Sequence, residues 1–254
     1  METSFLYMDE FYSDHRTFKH ERSKNRPEYV ALTGLYVPAG IRSEYRSRFY
    51  RAVATALDIP LNTIPSLPQI HGSALFPDRP DEIKFWFLEE VVKACVEFRL
   101  EVVRYGYFVT PELKELMPTA ALLSLSFNEM LRGASSLKTT EVWPVMESDQ
   151  SEQQDSIFAG SVQMIDFVTT HVGGSLTIDN SNLGEMLYCT KRSIYGTTVD
   201  LISYLLDARL LRQLGIAVTS YKQKLATIAA ILDPIILRDE IGTFTIEAPS
   251  KNLA

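Results

Sequence analysis

Two adjacent carboxylates, Asp9 and Glu10, follow the apolar run Phe5-Leu6-Tyr7-Met8 close to the N-terminus. A continuous apolar run with two aromatics predicts a strand buried on both faces, with the acids where that strand ends. A carboxylate at the edge of a buried sheet is costly to desolvate unless a cation meets it, commonly a metal ion or an arginine. The arrangement recurs at Glu141-Val142-Trp143-Pro144-Val145-Met146, which is followed by Glu147 and Asp149. A third acid, Asp200, stands just after Thr197-Thr198, a pair able to cap a helix. Ligands of α/β sheets collect outside the carboxyl ends of the strands, so acids far apart in sequence can converge there. Convergent carboxylates suit a hard divalent cation, Mg2+ or Mn2+, and two such ions about 4 Å apart can activate a water and stabilise the leaving oxygen of a phosphodiester.

Asp9, Asp200 and one of Glu147 and Asp149 are therefore the candidate metal ligands. Glu10 is a candidate to share or tune them, although neighbours on a strand point to opposite faces. His71, beside Gly72-Ser73, is a candidate to protonate a leaving group or orient substrate. Each residue also has an ordinary structural reading. Asp commonly terminates strands, Asp200 would suit a helix N-terminus, and a lone histidine at a chain bend is more often structural. Asp155 and Asp166 read as surface charge.

The elements that must position these groups can be read in order. After the first strand, residues 15–26 form a basic, turn-rich loop, and Glu28 to Val37 is a second strand stopped by Pro38, so that an antiparallel hairpin is the cheapest pairing. Tyr45, Phe49, Val53 and Leu57 recur at helical spacing within Ile41–Leu57, with Arg42, Arg46 and Arg48 off that stripe. The proline-broken segment from Asp58 to Pro80 leaves only Gln69 to Leu75 as a short edge strand. Asp81–Arg99 is a helix and Leu100–Val109 a strand. Thr110-Pro111 then opens a helix to about Leu131, which Pro118 can divide. Pro144 makes the Trp143 strand a poorer central strand. A helix near Asp155–Val172 ends at Gly173-Gly174, followed by short strands at Leu176–Ile178 and Gly184–Cys189. A helix from Thr197 to about Leu214 turns Val199, Ile202, Leu205, Leu206 and Leu210 inward and stops at Gly215, and a last helix runs from Ser220 to about Asp233. Strands alternating with helices after a hairpin predict an α/β fold with a mixed central sheet and helices on both faces.

The chain has 254 residues, 46% of them hydrophobic, spread evenly enough for one domain over residues 1–241 with a flexible tail at 242–254. A net charge of −7 means that any nucleic-acid contact needs a local basic face, such as the 15–26 loop with the arginines of the Ile41 helix behind it. Cys95 and Cys189 lie far apart without metal-ligand spacing and read as buried thiols. No stretch is long enough to span a bilayer and the N-terminus lacks a basic signal region, so a cytoplasmic protein is expected. There is no Gly-rich phosphate loop, no Gly-x-Ser-x-Gly elbow and no His-Glu-x-x-His pair.

Taken in order, these motifs resemble domain-of-unknown-function family 3800. That family opens with a strand ending in Tyr-x-Asp-Glu-Ser-Gly, carries a His-containing strand and an internal Asp/Glu strand, and finishes with a Gln-Leu-Ala-Asp-Leu helix. Tyr7-Met8-Asp9-Glu10 is similar to the first motif, Ile70-His71-Gly72-Ser73 to the second and Val145 to Asp149 to the third, with Asp200-Leu201 on the Asp-Leu end of the last. Phe11-Tyr12 stands in place of Ser-Gly, and Thr197 and Val199 in place of the Gln and Ala. The resemblance, over about residues 4 to 215, implies a ribonuclease-H-like fold and a metal-dependent nuclease site. The expected function is thus a Mg2+- or Mn2+-dependent phosphodiesterase acting on nucleic acid. The alternative is a non-catalytic module on the same scaffold that binds nucleic acid or a protein partner.

Overall fold

In the computed structural model the described residues are 2–13, 26–63, 70–117, 119–135, 140–147, 187–190, 192–216 and 218–243. Asp149, Asp155, Asp166, most of the basic loop, the expected helix near Asp155–Val172, the expected strand at Leu176–Ile178 and the C-terminal tail from residue 244 lie outside them, whereas Gly242 and Thr243, expected in the tail, belong to the last strand of the sheet.

Among the described residues a six-stranded mixed sheet organises the chain, in the order β5-β4-β1-β2-β3-β6. Strand β1 (Glu2–Tyr12) pairs antiparallel with β2 (Tyr29–Pro38), giving the expected hairpin, and β2 pairs antiparallel with β3 (Glu101–Phe108). On the other side of β1, strands β4 (Thr140–Glu147) and β5 (Leu187–Cys189) run parallel to it. A sixth strand, β6 (Ile236–Thr243), runs parallel to β3. The antiparallel β1-β2-β3 unit followed by parallel β4 and β5 gives the expected α/β architecture, a mixed central sheet.

Strand alternation sorts side chains to two helical layers. Tyr7, Leu35, Val37, Val102 and Val145 face the larger layer, which is made of α1 (Arg42–Leu57), α2 (Asp81–Glu97), α5 (Ile194–Gln213) and α6 (Ser220–Ala229). Leu6, Met8, Leu32 and Val103 face the smaller layer, α3 (Pro111–Leu116) and α4 (Thr119–Ser135). The predicted stripe of α1, Tyr45, Phe49 and Val53, is buried, whereas its arginines are exposed. Thr110 caps α3 by accepting a hydrogen bond from the Leu113 N–H, and the helix ends before Pro118.

Four expectations are corrected. Strand β1 continues past its acids to Tyr12, because Phe11 stacks on Tyr29 with ring centroids 5.5 Å apart and the pairing with β2 holds through Tyr12↔Val30. The segment around His71 is no strand. It forms a single 3-10 turn at Gly72–Ala74, since the prolines before and after it leave too little free backbone for a ladder. Helix α5 begins at Ile194, with the Ser193 hydroxyl accepting from the Gly196 N–H at 3.4 Å, so Thr197 is inside the helix and not its cap. Finally, β4 is flanked by strands on both sides despite Pro144. The described part of β5 begins opposite Val145, one residue past the proline, so the missing N–H costs little.

Candidate carboxylate site

Asp9 lies on β1 directly opposite Thr33 of β2. It shares the parity of Tyr7 and Phe11, so it is on the sheet face covered by α5. Thr33 and Ser203 of α5 hydrogen-bond hydroxyl to hydroxyl at 2.7 Å, which fixes the helix over this part of the sheet. The same level of the sheet continues through Arg104 on β3 to Asp239 on β6. Arg104 is 2% exposed, and its Nε donates to Asp239 Oδ1 at 2.6 Å. One row of polar residues, Asp9, Thr33, Arg104 and Asp239, thus crosses four strands beneath α5. Glu10 goes the other way: alternation sends it to the α4 face, where it accepts a hydrogen bond from the Tyr12 hydroxyl at 2.8 Å. Asp9 and Glu10 therefore do not share a face.

Asp200 sits in the second turn of α5, beyond the first-turn position at which a helix dipole would account for it. Its Oδ2 accepts the Gly72 N–H at 2.8 Å and lies 3.8 Å from His71 Nδ1. Desolvation pushes its carboxyl pKa up, opposed by the Gly72 N–H and by His71. The contact depends on glycine. A Cβ on residue 72 would come within 2.5 Å of Tyr204 Cβ, one turn further along α5. The structure thus unites His71 and Asp200, as sequence order alone could not.

The backbone of β4 is described as far as Glu147, which pairs with Cys189 of β5, two positions past the level at which Tyr7 and Val145 are paired. Among the described residues no three His, Cys, Asp or Glu side chains gather closely enough to hold a metal ion.

A second acid of α5 went unnoticed in the sequence. Asp207 is fully buried and accepts three hydrogen bonds: from Arg26 Nη2 at 2.7 Å, from the Tyr29 hydroxyl at 2.7 Å and from Lys222 Nζ at 3.0 Å. Desolvation, with the Asp207 charge second, raises the Tyr29 pKa well above the ordinary tyrosine value. The signal was there: Asp207 is the one charge in the run from Leu201 to Ala208 after a helix stripe that reads as buried throughout. With two cations and a phenol already on it, Asp207 is a structural tie and not a ligand-binding group.

No family model matches the chain, and no curated protein matches it. Among solved structures it is similar to Bst-RNase HIII in complex with Mn2+, at 10% identity over 92% of this chain and 70% of that chain, with a TM-score of 0.45.

Proposed function

We propose that the protein is a divalent-metal-dependent phosphodiesterase acting on nucleic acid, a ribonuclease-H-like enzyme of the kind that its resemblance to family 3800 implies. The observation that carries this reading is that Asp9 of β1 and the helix α5 that bears Asp200 belong to one side of the sheet, with β4, described as far as Glu147, beside β1 in the strand order. A set of carboxylates is the donor chemistry that Mg2+ or Mn2+ prefers. Asp9 and Asp200 would hold the metal together with Glu147 or Asp149. When bound, the ion supplies Lewis-acid stabilisation of the charge that develops on the phosphodiester oxygens. The chain's own contribution is position. The Gly72 N–H braces Asp200, and His71, half exposed beside it, is within reach of substrate and can hand a proton to a leaving oxygen.

The test is cleavage of single-stranded and duplex DNA and RNA with Mn2+, for the wild type, Asp9→Asn and Asp200→Asn, with thermal unfolding of each protein with and without Mn2+. Metal-dependent cleavage and a Mn2+-induced rise in Tm, both lost in Asp9→Asn, are the expected results. Equal cleavage by wild type and Asp9→Asn discards the site.

A second reading, a non-catalytic module that binds nucleic acid or a protein, is favoured by one observation: Asp200 is already satisfied by the Gly72 N–H and His71, as a structural brace would be. Absence of cleavage and of any Mn2+ shift in all three proteins selects it.

A further inference from the structure

A pocket of about 450 Å³ opens between the first turns of α1 and α5, on the β1-β4-β5 side of the sheet. Its walls carry three arginines, Arg42 and Arg46 from α1 and Arg192 from the turn before α5, interleaved with aromatic rings. The Arg42 guanidinium lies 4.5 Å from the Phe5 ring centroid and 5.6 Å from that of Tyr195, and Arg46 lies 5.6 Å from that of Tyr50. Tyr7 and Tyr195 stack at 4.8 Å, and the Tyr195 hydroxyl donates to the Arg42 carbonyl at 2.7 Å, which locks the α1 start to α5.

The charge pattern is the informative part. Several other arginines of this acidic chain hold carboxylates: Arg26 with Asp207, Arg48 with Glu90, Arg104 with Asp239, Arg209 with Asp233 and Arg238 with Glu240. Among the described residues none of Arg42, Arg46 and Arg192 forms an ion pair, although they face one cavity. Three like charges brought together without an anion repel one another, an arrangement that a bound polyanion would relieve. Two further features suit an anion. The N-terminal turn of a twenty-residue helix, α5, forms part of the wall. Tyr7, 5% exposed, accepts from Arg42 Nη2 at 3.3 Å, and its own hydroxyl hydrogen has no acceptor among the described residues.

Arginines alternating with ring faces match a ligand that is phosphate at one end and planar at the other. We propose that this pocket binds a phosphorylated nucleotide, either free or at the end of a nucleic-acid strand. The phosphate lies against Arg42, Arg192 and the Tyr7 hydroxyl, and the base against Tyr50 and the Arg46 plane. Tyr7 and Val145 of its wall stand two positions before Asp9 and Glu147 on the same strands, so the pocket adjoins the carboxylate site, but its binding does not rest on hydrolysis.

The test is equilibrium binding in EDTA, where no metal-dependent cleavage occurs, using AMP, a 5′-phosphorylated single-stranded oligonucleotide, its unphosphorylated counterpart and inorganic phosphate. A second readout is the rate of alkylation of Cys189, which lines the pocket and is partly exposed, with buried Cys95 as the internal control. The expected result is tighter binding of AMP or the phosphorylated strand than of inorganic phosphate, with protection of Cys189. Arg46→Ala and Arg192→Ala, both at exposed side chains, should each weaken it about tenfold, and the double variant about a hundredfold, as charge-assisted hydrogen bonds do. Tyr50→Leu should reduce the preference over inorganic phosphate while sparing phosphate binding itself. AMP binding identifies the free nucleotide, and binding of the phosphorylated strand alone identifies the strand end. Equal binding by wild type and the double variant, binding of neither AMP nor the phosphorylated strand above that of inorganic phosphate, equal binding of the phosphorylated and unphosphorylated strands without AMP binding, or an unprotected Cys189 overturns the proposal, whatever the outcome of the cleavage assay.

Discussion

Asp200 and Asp207 lie about two turns apart on one helix and meet opposite environments. Asp207 faces two cations and a phenol, whereas Asp200 has one backbone N–H and a histidine that carries charge only when protonated. Desolvation dominates at Asp200 and raises its pKa. The folded protein therefore holds this proton more tightly than the unfolded chain does, and stability falls as pH rises from the ordinary Asp value, about 3.9, through the raised folded value. Asp200→Asn removes the titrating group and keeps an oxygen that can accept the Gly72 N–H. Thermal unfolding of wild type and variant across the mildly acidic range should show the variant gaining on the wild type as pH increases. Parallel pH profiles would mean that the carboxyl is not destabilised by burial. A metal ion held by Asp200 would reverse the slope, because it binds only the ionised form.

Four segments are tied together at Asp207: Arg26 from the end of the loop after β1, Tyr29 from β2, Lys222 from α6 and Asp207 itself from α5. Side-chain exposures of 3% for Arg26, 3% for Lys222 and 0% for Asp207 leave no water to replace a lost partner. Asp207→Ala would remove the carboxylate that two buried cations share and should cost about 3–5 kcal/mol in urea unfolding, whereas breaking a surface pair such as Arg238–Glu240 should have little effect. A loss below about 1 kcal/mol at Asp207 would show that the cations find water after all. Elements with one strong period were legible in sequence. The α1 stripe, the α2 helix, the hairpin and the break at Pro118 follow from spacing and proline chemistry alone. Strand β6 was not, since Arg238, Asp239 and Glu240 give it three charges in eight residues, a composition suited to the end of the strand order, where one flank has no described partner. The start of α5 was misplaced because Thr197 and Thr198 are good caps in isolation. Both are buried, and Thr198 instead donates to the Ile194 carbonyl at 2.7 Å and hydrogen-bonds the Tyr45 hydroxyl at 2.8 Å.

At the scale of the molecule, the opposition is between an acidic chain, net −7, and a cationic pocket. The arginines of α1 were legible as a basic face. Their gathering with Arg192 depends on the packing of α5 against α1, which no local pattern encodes. The pairing of Asp200 with His71 and the polar row from Asp9 to Asp239 are hidden for the same reason: each joins residues more than a hundred positions apart. This charge distribution constrains how a nucleic acid can be engaged. Non-specific binding to a polyanion grows with the number of phosphates neutralised, and a chain with excess carboxylates offers few such contacts outside the pocket. At physiological ionic strength the field of the pocket itself decays within about 8 Å, so it reaches the terminal phosphate and little beyond. For single strands of increasing length, each carrying one 5′ phosphate, fluorescence anisotropy should therefore give one protein per strand and a Kd that does not change with length. The salt slope should correspond to the few phosphates that three arginines can meet. Affinity that rises in proportion to length, or several proteins on one strand, would place the binding surface along the backbone instead, beyond the pocket. Loss of the length-independent affinity in the Arg46→Ala, Arg192→Ala double variant would tie it to the pocket and separate strand-end capture from any hydrolysis at Asp9.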